Sequence, residues 1–133
     1  MSKDIFNPPT MMKPAGYSHV AKVTGGTLVY IAGQVSSDAS GALVGDGNFE
    51  AQVEQVFKNV KLALEAAGAT MADIVKLNTY LVAEVSQDDL PKMRAIRDRH
   101  LNKEKPPAST LVVVSRLARP GWLIEIEAVA AID

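Results

Sequence analysis

The sequence predicts an α+β fold in the order β-β-α-β-α-β-β, and three observations carry that expectation. The chain has 133 residues, enough for one hydrophobic core and too few for two ordinary ones. One segment repeats apolar residues at spacings of three and four, the period of an amphipathic helix. Several others are short, rich in β-branched residues and bounded by glycine or proline, as strands are. We therefore read residues 1–133 as a single domain.

Each element follows from local chemistry. Residues 1–15 contain Pro8, Pro9 and Pro14 and are expected to lie extended over the surface without a regular ladder. Residues 17–23 and 27–33 read as a hairpin, because Gly25 and Gly26 supply the positive φ angles of a tight turn. Residues 36–48, rich in Ser, Asp and Gly, form a loop. Asn48 then caps a helix whose stripe is Val53, Val56, Phe57, Val60, Leu64 and Ala67, and Gly68 stops it in the left-handed conformation. Residues 73–82 form a strand. Ser86 or Asp88 caps a second helix, with Pro91 in the tolerated first turn and Met93, Ile96 and Leu101 as a weaker apolar face. Pro106 and Pro107 end it, and residues 109–117 and 122–132 close the chain as two strands.

Strand side chains alternate, so Ile124, Ile126, Ala128 and Ala130 point to the helix-covered face while Leu123, Glu125, Glu127 and Val129 point away from it. Residues 28–31 and 111–114 are apolar on both faces, more than one wet face requires. The economical cover for the second face is another copy of the chain, which predicts a homo-oligomer. The alternative is that loops of the same subunit bury both faces.

Composition excludes several functions. The net charge of −1 and the 5% aromatic content argue against a nucleic-acid partner, and no apolar run approaches a membrane span. Cysteine is absent and MSKDIFNPPT has no apolar leader, so a cytoplasmic protein is expected. His19 and His100 stand on different elements without ligand spacing, so no metal is expected. GALVGDGNFE lacks the context of a phosphate cradle, and no cofactor is expected. Residues 92–105 hold six cations (Lys92, Arg94, Arg97, Arg99, Lys103 and Lys105) against Asp98 and Glu104. This is read as a solvated face, or, more sharply, as a face from which one arginine turns into a cleft to hold a carboxylate. Glu125 and Glu127 lie among apolar neighbours and must be paired or wet. Glu125 in an interface cleft would hold or activate a water; an interface salt bridge is the alternative for it, and the favoured reading for Glu127. Ser109 has no base near it in sequence and does not read as a nucleophile.

Taken together, GYSHV, IAGQV, the helix ending EAAG, DIVKLNTYL, PPAST and IEIEAVA resemble the RidA/YjgF family of small deaminases, in that order and over nearly the whole chain. The resemblance implies a chorismate-mutase-like fold and a homotrimer whose central barrel is built from the second sheet faces. It implies hydrolysis of reactive enamine and imine intermediates, such as 2-aminoacrylate in its imine form, to a 2-keto acid and ammonia in clefts between subunits. Carried over by motif, Tyr17 lines the cleft, Gly33 gives the ligand backbone approach, and Glu125 positions the attacking water. Where family deaminases carry an arginine that grips the substrate carboxylate, this chain has Ser109, and Arg94 stands where active members commonly have asparagine. Losing a guanidinium contact in a desolvated cleft costs about 2 to 5 kcal/mol. That is about thirty-fold or more in affinity.

The expectation is thus a RidA-like hydrolase of small enamine or imine metabolites, with a substrate other than 2-iminopropanoate and Arg94 supplying positive charge. The alternative is a non-catalytic trimer that binds a small metabolite. RNA cleavage, a third reading, has no histidine pair or acid–base constellation to support it.

Overall fold

The apolar stripe becomes helix α1, Phe49–Ala66, in a computed structural model that describes residues 1–133. Asn48 caps it by accepting from the Ala51 amide at 3.0 Å. The far end closes as a Schellman motif: the Ala69 amide donates to Leu64 O, the Gly68 amide donates to Glu65 O, and Gly68 has φ +77°. Val53, Val56, Phe57, Val60 and Leu64 are fully buried against the sheet and the second helix.

The strands are β1 (Ser2–Phe6), β2 (Val20–Thr24), β3 (Thr27–Gln34), β4 (Ile74–Val82), β5 (Ala108–Val114) and β6 (Ile124–Ile132), and the second helix is α2 (Leu90–His100). Four strands form a mixed sheet in the order β3-β6-β4-β5, antiparallel except for the parallel β4–β5 pair. α1 lies on β3 and β6 and packs against α2, so both helices occupy one side. Ile124, Ile126, Ala128 and Ala130 face them and are buried, the alternation expected of β6. Pro91 sits in the first turn of α2, and Ser86 caps the short 3-10 turn before it.

Two expectations are corrected. The first fifteen residues are not ladder-free: Ser2–Phe6 pair antiparallel with Val20–Thr24 as a separate two-stranded sheet. The three prolines all lie beyond the last paired residue and leave the ladder intact. Nor do residues 17–33 make a hairpin. Gly25 and Gly26 do turn the chain, with φ +69° and +77°, but β2 pairs with β1 and β3 with β6, so the turn joins two sheets.

On the face away from the helices, Leu28 and Tyr30 are 48% and 74% exposed, and the edge strand β5 leaves Val112, opposite Tyr80, 40% exposed. Loops of the chain therefore do not cover this surface. No helix is long and apolar enough to cross a membrane.

The N-terminal strand is tied down by Asp73. Its carboxylate accepts from the Thr70 amide at 2.8 Å and the Thr70 hydroxyl at 3.1 Å, and pairs with Lys3 at 3.4 Å. Burial pushes the Asp73 carboxyl up, but the Thr70 donors and the Lys3 ammonium outweigh it and hold it below its ordinary value of 3.8. A depressed carboxylate stabilises the fold above the unfolded-state pKa, and that contribution is lost as pH falls through the folded value. Asp73→Asn is therefore expected to lower stability by about 1 kcal/mol at neutral pH. Urea unfolding of both proteins in neutral and in strongly acidic buffer checks it; a gap that persists undiminished in acid shows that the carboxylate charge is not its source.

Candidate active site

The start of β5 and the loop before β2 are stitched together. Ser18 Oγ donates to Pro106 O at 2.6 Å, its amide donates to Pro107 O at 3.1 Å, and Ser18 bridges Ala108 in parallel. Tyr17 is thereby held beside Ser109, and its ring meets His19 edge-on with centroids 5.6 Å apart. His19 is itself fixed by Asn7, which accepts from its amide, and by a ring contact to Met12 O, both at 2.7 Å. Between this seam and α2 lies a cavity of about 390 Å³ lined by Ala15, Tyr17, Arg94, Arg97, Ser109, Thr110 and Leu111. Three of the five residues singled out from sequence, Tyr17, Arg94 and Ser109, thus share one space.

Arg97 joins them, and sequence reasoning did not single it out. It is buried, with Nε and Nη2 each 3.1 Å from Asp98 Oδ1. Gly16, at φ +78°, passes directly over the guanidinium: a Cβ there would stand 2.3 Å from Nη2. The available signal was spacing, since Arg97 follows Met93 by four positions and so falls on the apolar face of α2. Arg94, one position past Met93, is exposed and has no ion-pair partner. The other cations of α2 are engaged, Lys92 with Glu50 and Asp89, and Arg99 with Glu54.

Gly33 and Glu125 come together elsewhere. The Glu125 carboxylate lies over the Gly33 backbone so closely that a Cβ on Gly33 would be 2.6 Å from Oε2. The β-bulge between Ile31 and Gln34 opens this spot. Gln52, fully buried, sets the start of β6: its amide donates to Gly45 O and Gly121 O, and its oxygen accepts from the Leu123 amide. Beside Glu125, Glu127 accepts from Asn78 at 3.2 Å and from the Tyr80 hydroxyl. Within its own chain the partners of Glu127 are therefore neutral groups. The bond from Tyr80 to Glu127, burial, and the charges of Glu127 and Glu125 all raise the Tyr80 phenol above its ordinary value. No cation of the chain pairs with Glu125 or Glu127.

These two clusters do not meet within one chain. Ser109 stands opposite Leu77 and projects to the helix side, whereas Glu125 stands opposite Tyr80 and projects to the other face. With β4 between them and three residues of offset along it, their backbones are roughly 14 Å apart on standard strand spacings. No group of three or more His, Cys, Asp or Glu side chains is arranged to hold a metal ion.

An α+β chain with two helices on one side of a mixed sheet, and polar clusters at two separate places on it, is the class that fold and site define. Within that class the chain belongs to the Endoribonuclease L-PSP family, whose model matches residues 10–132. A RutC family protein of Pyrococcus abyssi is 35% identical over 98% of this chain and 98% of its own. The 2-iminobutanoate/2-iminopropanoate deaminase of Dermatophagoides farinae is 30% identical over the same shares. The crystal structure of YyfB, a Rid family protein of Yersinia pestis, matches with a TM-score of 0.85 at 39% identity, over 99% of this chain and 100% of that one. The resemblance to the RidA/YjgF family is borne out, and with it the α+β fold.

Proposed function

We propose that the protein is a homotrimeric deaminase of small imines, with active sites assembled between neighbouring copies. The observation that carries this reading is the division of the site. One chain holds a cationic, hydroxyl-lined cavity at its β5 edge and an unpaired carboxylate over Gly33 on the far side, and its outer sheet face leaves Leu28 and Tyr30 exposed. A neighbour packed on that face brings one chain's Glu125 towards the next chain's Tyr17, Arg94 and Ser109. The deaminase named among the relatives supplies the reaction class.

The chemistry suits so sparse a site. Water adds to the imine carbon of a 2-imino acid while Glu125 accepts its proton and delivers it to nitrogen. The resulting carbinolamine loses ammonia to leave the 2-keto acid. One C=N bond is exchanged for C=O, one water is consumed, and no electrons are transferred. Arg94 and the hydroxyls of Tyr17 and Ser109 hold the carboxylate and align the carbon.

The test generates imines in situ from a panel of amino acids with an amino-acid oxidase and follows their loss by semicarbazide trapping. Faster loss in the presence of the protein is expected, and rates equal to buffer across the panel would sink the reading. Ser109, in the place of a guanidinium, favours a second one: a trimer that holds a metabolite without turnover, recognised by recovery of the bound ligand unchanged.

A further inference from the structure

We infer that the cavity beside Ser109 selects ligands bearing two acid groups, with Arg97 and Arg94 as the two grips. For what happens to the ligand, this rests on the deaminase reading above. For what is bound, it rests on the cavity alone.

Four observations point this way. Arg97 is held in place before any ligand arrives. Its side chain is only 10% exposed, Asp98 engages Nε and Nη2, and the Gly16 backbone closes over it. A guanidinium so fixed loses little conformational entropy on binding. Its Nη1 has no partner in the chain and is not sealed from solvent, so a donor remains for a ligand oxygen. Arg94, one helical turn earlier and on the same cavity, is the one cation of α2 without a carboxylate partner. Finally, the lining contains no carboxylate; its remaining polar side chains are those of Tyr17, Ser109 and Thr110, and the Thr110 hydroxyl already accepts from Lys76 at 2.8 Å.

Two like charges at i and i+3 repel each other, and the single half-exposed Asp98 offsets only one of them. A monocarboxylate satisfies one guanidinium and leaves the other without a partner. A small dicarboxylate satisfies both, with Ser109 completing the contact at Arg97. The substrate class is therefore the imine of an amino acid with an acidic side chain. A single arginine at position 109 would grip one carboxylate; Ser109 instead leaves room for the pair on α2.

Binding and turnover separate the possibilities. Calorimetry with 2-oxoglutarate and 2-oxobutanoate, stable keto acids of the two charge classes, is expected to show the dianion bound at least about tenfold more tightly. Arg94→Gln, a surface change that leaves the core untouched, is expected to bring the ratio near one, and Arg97→Lys to weaken binding of the dianion by about tenfold or more. Equal affinities in the unaltered protein, or a ratio unmoved by Arg94→Gln, would overturn the inference. Imines generated from glutamate and from 2-aminobutanoate give the second arm. Hydrolysis of both at equal rates overturns the dianion preference and keeps the deaminase reading. Hydrolysis of neither, with the binding preference intact, removes the deaminase reading and keeps the dianion site.

Discussion

Glu125→Ala is expected to lower kcat for imine hydrolysis by about 100-fold to 10,000-fold, the range a positioned proton-transfer group contributes. KM is expected to change little, because in the proposed mechanism the carboxylate handles the water and the grips on the substrate lie elsewhere. Two features set this residue apart from Glu127, two positions on. Glu125 has no hydrogen-bond donor in its own chain, whereas Glu127 is held by Asn78 and Tyr80. It rests on Gly33, where the missing side chain leaves room for it. The charges of both glutamates contribute to raising the Tyr80 phenol, and neither is paired with a cation of its own chain. Gly33→Ala should act in the same direction, because its Cβ must push the carboxylate aside. Steady-state kinetics on the best imine of the panel decide the matter, and an unchanged kcat in Glu125→Ala would assign water activation to another group.

The second large effect is on assembly. Tyr30→Glu is expected to convert the proposed trimer to a monomer that is folded and inactive. Tyr30 is 74% exposed and belongs to no part of the core, so its replacement leaves the helix-covered side alone. A buried aromatic anchor at the centre of an interface is commonly worth 2 kcal/mol or more. That is about thirty-fold or more in affinity for each contact, before the cost of burying a new charge. Light scattering gives the mass and circular dichroism the fold. A variant that stays trimeric and active would remove the outer face from the interface.

How much of this was legible in the sequence differs from element to element. Helix α1 was readable end to end, because a cap, an apolar period and a left-handed stop are all local. The alternation along β6 was equally plain, since half-buried strands display it directly. The pairing of β1 with β2 was not, because the choice of partner is a non-local decision that proline positions do not reveal. The turn at Gly25 and Gly26 is the same turn whether its flanking strands pair with each other or part company. That Ser109 and Glu125 stand on opposite faces of one chain was not legible either, because it depends on how β5 and β6 register against β4. Arg97 was hidden for a different reason: a charged residue on a helix reads as solvent-facing, and only the Gly16 backbone above it and Asp98 beside it make burial tolerable.

The separation of the two clusters also bears on how such a protein diverges. Gly33 and Glu125 depend on the bulge of β3 and the start of β6, while Tyr17, Arg94, Arg97 and Ser109 depend on α2 and the seam between residue 18 and β5. Standing on opposite faces of the sheet, the two sets are far enough apart within one chain for substitutions in them to have nearly independent effects on its folding. Ligand preference, governed from the α2 side, and proton handling, governed from the β3–β6 side, can then be altered one at a time.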